Sequence, residues 1–155
     1  MNRDKYQEGL LINPIENGTV IDHITGGEAL IVLRILGITG STAESVSVAT
    51  NVVSNELGRK DVVKIENREL KAEEVDRIAL IAPRATINII RDRRVVDKKG
   101  VLIPEILIGV LRCPNPCCIT NTNEPVLSRF SVQGERLVCE YCDTVIQADI
   151  PSQII

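Results

Sequence analysis

The sequence predicts an α+β protein in two unequal parts, and three observations carry that reading. Strand-period and helix-period apolar patterns run from residue 18 to residue 97. All five cysteines fall after residue 112. Apolar residues make up 44% of the 155-residue chain, which suits a packed protein rather than a disordered one. A part of about 50 residues buries too little apolar surface to be comfortably stable alone, so a metal or disulfide staple is expected in the second part.

Gly18 to Ile24 reads as a strand. Thr25 and Glu28 have the spacing of a capping box, so a helix is expected to start at Thr25. Ala29, Leu30, Leu33 and Leu36 are expected on its buried face, and Gly37 supplies a left-handed terminus. Residues 45–53 alternate, with Val46, Val48, Thr50 and Val52 on one side. A turn at 55–58 then leads to a strand at 61–66. Residues 70–82 are helical by the spacing of Val75, Ile78, Ala79 and Ala82, and Pro83 stops them. Strands at 84–91 and 94–96 complete the order βαββαβ with one extra strand. That order predicts a ferredoxin-like sheet with both helices on one face and the other face open to a ligand.

Residues 98–104 read as a hinge, which divides the chain into residues 1–100 and 101–155. Beyond the hinge, short strands at 126–132, 137–138 and 144–146 suggest a small antiparallel sheet around the cysteines, with a hairpin turn at Gln133-Gly134.

The cysteine spacing is Cys113-x4-Cys118, twenty intervening residues, then Cys139-x2-Cys142. Each close pair can form a turn whose backbone N–H groups point at the thiolates, and the long separation lets two such turns meet around one tetrahedral zinc ion. Four thiolates leave no open coordination position, so the zinc is expected to be structural. Cys113-x3-Cys117 is also a feasible pair; Cys118 is preferred. Buried reduced thiols or a redox pair form the competing reading, set aside because clustered cysteines in a reducing compartment usually bind metal.

Net charge is −3, yet residues 84–99 carry +4 against −7 for the remainder. Such asymmetry marks either an anion site or a solvated strand. On the strand at 61–66, the period of two places Lys60, Val62, Lys64 and Glu66 together, opposite Val63 and Ile65. The two ammonium groups stand roughly 13 Å apart along the strand, a span that suits one nucleotide. Asp22, His23 and Lys98 end neighbouring strands and can join them. His23, the single histidine, has a plain hydrogen-bonding reading beside the ligand one, and the lysine pair has a solvated-face reading. No Ser/His/Asp order is evident, so an enzyme is not expected. The polar stretch Met1–Glu8 and the lack of a long apolar run predict a cytoplasmic protein without a membrane segment.

The segments GTVIDHI (18–24), ELGRKDVVKIEN (56–67), APRATIN (82–88) and CPNPCCI (113–119), in this order, resemble the regulatory chain of aspartate carbamoyltransferase. The resemblance covers nearly the whole chain. It implies a nucleoside triphosphate-binding allosteric domain, dimerisation through that domain, and one structural Zn2+ per chain in a C-terminal domain that docks on the catalytic trimer. It further implies control of pyrimidine biosynthesis by CTP and ATP, with UTP a third candidate effector, and no catalysis of its own. Carried over by position, Ile12, Asn13, Ile15 and Val20 would meet the base, and Asp22 and Lys64 the ribose. His23, Lys60 and Lys98 would face the phosphates, while Val62, Asn88, Ile90 and Val95 would complete the wall.

Two rivals come from other classes. A nucleic-acid-binding zinc-ribbon protein is disfavoured because RNA-reading sheets stack bases on aromatics, and the only aromatics are Tyr6, Phe130 and Tyr141, expected outside the sheet segments. A small phosphatase on the same fold would use Arg84 and Asn88 around phosphate.

Overall fold

A computed structural model describes residues 14–40 and 43–155. The first half of the chain forms β1 (Gly18–Thr25), α1 (Ala29–Ile35), β2 (Val46–Ser54), β3 (Gly58–Glu66), α2 (Ala72–Ile81), β4 (Thr86–Arg91) and β5 (Arg94–Gly100). The strands make one antiparallel sheet in the order β2-β3-β1-β4-β5. This is the expected βαββαβ arrangement with β5 added at an edge. Ile21 and Ile24 of β1, Val63 and Ile65 of β3, and Ile87 of β4 bury against Ala29, Val32 and Leu36 near α1 and Ile78 and Ala79 of α2. Both helices therefore cover one face. Gly18 opens β1 at φ +143, where an added Cβ would fall 2.0 Å from the Ile65 carbonyl oxygen, so no larger residue fits.

Several local expectations change. The first helix begins at Ala29, not Thr25, and Glu28 stands at its N-cap with no side-chain capping bond. Its early amides go instead to Asp61 of β3, whose Oδ2 accepts from Gly27 and Ala29 at 2.9 Å each. A buried carboxylate on a neighbouring strand is a stronger acceptor than a threonine hydroxyl. Leu30 is 71% exposed, because at 100° per residue the buried stripe runs through Ala29, Val32, Leu33 and Leu36. At the other end Gly37 does adopt φ +69, and the amides of Gly37 and Ile38 close the helix on Arg34 and Leu33.

The alternation of β2 breaks at Asn51, φ 56. Val46 and Val48 face the core, but after the irregularity between Ala49 and Val52, Val52 pairs with Lys60 and so shares its opposite face. Strand β5 continues to Gly100, with Lys98 opposite Asn88 and Lys99 opposite Ile87, so the first three residues of the expected hinge are ladder-bonded. Val101 follows into the first buried cluster.

The second half forms β6 (Ile106–Ile108), β7 (Arg129–Gln133), β8 (Arg136–Cys139), β9 (Val145–Ile146) and a short helix α3 (Ile150–Gln153), with a 3-10 turn at Ile119–Asn121. Its antiparallel sheet runs β6-β7-β8-β9. Gly134, φ +64, turns β7 into β8 as its sequence position suggested. Phe130 does stand on a strand, β7, but is fully buried beside Leu107, Leu137 and Ile146 and offers no stacking surface. Leu80 of α2 packs on this second cluster, and Arg77 donates through Nε to the Ile155 carbonyl at 3.1 Å and through Nη2 to the Gly109 carbonyl at 3.4 Å.

Candidate functional site

Two constellations carry chemistry. In the second half, the sulfurs of Cys113, Cys118, Cys139 and Cys142 all lie within 4.8 Å of one another. The Cys113–Cys142 pair is 3.5 Å apart and Cys118–Cys139 3.8 Å, far beyond the ~2.05 Å of a disulfide. A tetrahedron with metal–sulfur bonds of about 2.3 Å has edges of roughly 3.8 Å, so the four thiols fit one such ion. Cys117 is exposed and stands outside the group.

Local sequence builds this geometry. Asn121 donates its side-chain amide to the carbonyls of Cys113 (2.8 Å) and Asn115 (2.7 Å), which fixes the first turn between two prolines. Burial pushes the thiols of Cys113 and Cys139 up, while the amide of Asn115 pulls the first down and those of Tyr141 and Cys142 pull down the second. Cys142, 3.1 Å from the Thr144 hydroxyl, is brought down to about 6, first by that contact and then, against the effect of burial, by the Thr144 amide, Asn115 and Cys113. These amides and hydroxyls stabilise sulfur in its anionic form, as metal-holding turns do. Asn121, Thr120 (3.2 Å from Cys118 Sγ) and Thr144 were not foreseen.

The second constellation lies on the face of the five-stranded sheet that neither helix covers. One cross-strand row reads Ser47, Lys64, Val20, Asn88, Lys98 from β2 to β5. Directly opposed residues share a face, so Lys64 and Lys98 flank a floor made by Val20 and Asn88. Asn88 is held there by donating Nδ2 to the Val20 carbonyl at 3.3 Å. Val62 lies between the two β3 lysines, and Ile90 pairs with Val95 on the same side. Ile15, just before β1, is buried. Ile12 and Asn13 lie outside the described residues.

Asp22 reaches this face by alternation from Val20, and His23 joins it through an irregularity in β1 between Ile21 and Ile24. His23 has φ 56, and its Nδ1 is 3.3 Å from the Thr86 hydroxyl while Nε2 is 3.6 Å from Glu56. Lys60 Nζ pairs with Asp22 Oδ1 at 2.9 Å. Burial pushes the Asp22 carboxyl up, but the Lys60 ammonium, the His23 amide and the His23 ring together hold it below its ordinary value. Lys64 and Lys98 have no acidic partner among the described residues. Thr86, Glu56 and Asp61 were missed. For Asp61 the signal was available: by the period of two it shares the core face with Val63 and Ile65, and a lone acid in such a row needs partners.

Residues 10–102 match the family model described as aspartate carbamoyltransferase regulatory chain, allosteric domain. Residues 105–151 match that of the same chain's metal binding domain. Together with the cysteine group, these define a non-catalytic regulatory subunit with an allosteric and a metal-binding domain. The chain belongs to the aspartate carbamoyltransferase regulatory chain family. It is 70% identical over 155 residues to the regulatory chain of Methanospirillum hungatei and 67% identical to that of Methanosphaerula palustris, with all of both chains covered in each case. The Haloarcula marismortui chain is 59% identical over 146 residues, with 94% of each chain covered. Among the described residues no helix is long and apolar enough to cross a membrane.

Proposed function

We propose that this chain senses nucleoside triphosphates on the open face of its five-stranded sheet and conveys the bound state to the catalytic trimer of aspartate carbamoyltransferase. Residues 1–100 form the nucleotide-binding part and residues 101–155 the docking part. The observation that carries this reading is the convergence of Lys60, Lys64, Lys98, Asp22 and His23 on one sheet face, whose reverse carries the core residues of β1, β3 and β4 against both helices. Lys64 and Lys98 are separated by three strand spacings, roughly 14 Å, which suits cationic ends around a nucleotide rather than a bare phosphate. His23, Lys60 and Lys98 face the phosphates, Asp22 and Lys64 the ribose, Ile12, Asn13, Ile15 and Val20 the base, and Val62, Asn88, Ile90 and Val95 the remaining wall. ATP, CTP and UTP are the candidate effectors in the control of pyrimidine biosynthesis in the cytoplasm. The phosphatase alternative is weaker: Asn88 is committed to the Val20 carbonyl, and Arg84 is exposed in the turn before β4.

Cys113, Cys118, Cys139 and Cys142 hold one Zn2+, which when bound cross-links the two cysteine turns and, having four thiolates, activates no water. The chain dimerises through its nucleotide-binding part. An effector acts at a distance only by binding one quaternary state better than another, with coupling of typically about 1 to 3 kcal/mol. The contacts of Leu80 and Arg77 with the second half are a route for it.

Calorimetric titration tests the site: Lys60→Ala should weaken ATP and CTP binding, by roughly tenfold for one lost charge-assisted contact, without releasing zinc. Unchanged affinity removes Lys60 from the site. Co-purification with an aspartate carbamoyltransferase catalytic trimer, followed by activity with and without ATP and CTP, tests the assignment as a whole.

A further inference from the structure

We propose that Asp61 is a positioning residue of the nucleotide site, its buried carboxylate holding the strand irregularity that turns His23 onto the open face beside Asp22. The inference rests on the nucleotide-sensing reading above. Strands β1 and β2 flank β3, and both lose register as they pass Asp61: β1 between Ile21 and Ile24, β2 between Ala49 and Val52. Asp61 is fully buried. Its Oδ1 accepts from the Asn51 amide at 2.7 Å, and its Oδ2 from Gly27 and Ala29 at 2.9 Å. One carboxylate therefore ties the bulge of β2 to the turn that follows the bulge of β1.

A regular strand from Ile21 would send Asp22 outward, His23 into the core and Ile24 outward. The extra residue reverses the last two. Ile24 is fully buried, and the His23 ring stands beside Thr86 on the ligand-facing side. Lys60, the neighbour of Asp61 on the opposite side of β3, grips Asp22 at 2.9 Å. Adjacent residues of β3 thus fasten the bulged segment from both faces. With no exposed surface, Asp61 cannot touch the effector itself; it acts through where His23 sits. Asparagine offers one acceptor oxygen and turns an N–H2 toward amide donors, so it cannot satisfy all three amides.

The test is calorimetric titration of full-length, zinc-loaded protein with ATP and with CTP. Wild-type protein is compared with Asp61→Asn and Asp61→Glu, and Asp61→Asn is repeated in His23→Ala and Lys98→Ala backgrounds. The expected result is a roughly tenfold weaker affinity per folded chain. That loss should nearly vanish in the His23→Ala background and persist with Lys98→Ala, the non-additivity of residues acting as one unit. His23 is the sole histidine, so its single set of imidazole NMR signals should move in ligand-free Asp61→Asn. Unchanged affinity in Asp61→Asn overturns the positioning role, as does an equal loss in both backgrounds. Loss of folding in both Asp61 variants assigns the residue to stability alone and overturns it too. A wild-type protein that binds neither triphosphate overturns the nucleotide reading, and this inference with it, by a separate readout.

Discussion

Around the five-stranded sheet the main buried cluster is aliphatic, from Ile21 and Ile24 on β1 to Ile78 and Ala79 on α2. Beneath the four-stranded sheet, Cys113, Cys118 and Cys139 stand among the buried residues. The first assembly is held by apolar burial between sheet and helices. The second packs around thiols whose burial favours their neutral form, so on the reading proposed above a bound cation would reverse that preference and staple this half. Perturbations should therefore separate: removing methylenes harms one half, and removing a ligand harms the other.

The largest effect is expected from Cys139→Ala. Metal binding at such sites contributes on the order of 10 kcal/mol, so elemental analysis should find the ion gone and association with the catalytic trimer lost. Hydrogen exchange should show protection lost in β6–β9 and retained in β1–β5. A variant still ordered throughout and still able to bind the trimer would count against coordination as the staple. Ile21→Ala should do the reverse, lowering the stability of the five-stranded sheet by about 2–5 kcal/mol in denaturant titration while metal content stays the same.

A smaller effect is expected where the halves meet. Arg77→Ala removes two hydrogen bonds to the carbonyls of Ile155 and Gly109, worth about 1 kcal/mol in total because the side chain is near solvent. It should make the thermal transitions of the halves easier to resolve, with metal and nucleotide affinity unaltered. Coincident transitions before and after would show that Leu80 packing alone joins them.

Acid should produce the least change. The folded Asp22 carboxyl ionises more readily than the unfolded one. Its contribution is therefore complete above the ordinary value of 3.8 and disappears as pH falls through the lower folded value. In Lys60→Ala most of that dependence should be absent, since the ammonium supplies much of the depression. NMR titration of the Asp22 carboxyl measures it directly.

The site was legible in the sequence to unequal depth in the two halves. The cysteine group was legible because each pair builds its own turn within a few positions of chain; spacing preferred Cys118 but left Cys117 feasible, and the structure leaves Cys117 exposed outside the group. The open sheet face was legible for Lys60, Val62 and Lys64, which share one strand and one period. It was less legible for His23. Its neighbours Thr86 and Glu56 come from β4 and from the turn before β3, and its orientation depends on an irregularity that a period of two does not reveal.

The sequence by itself determined the element order of the first half, the core faces of β3 and α2, the left-handed end at Gly37 and the spacing of the cysteines, but not β6 or α3. Each feature so determined follows from residues a few positions apart. Tertiary structure alone decided that Ile21 and Ile24 both point inward, that Leu30 faces solvent, and that Asp61 rather than Thr25 serves the first helix. It also decided that β5 runs on to Gly100. Register across strands and the choice between competing hydrogen-bond acceptors are settled by which distant groups arrive together, and burial rewards only one such arrangement.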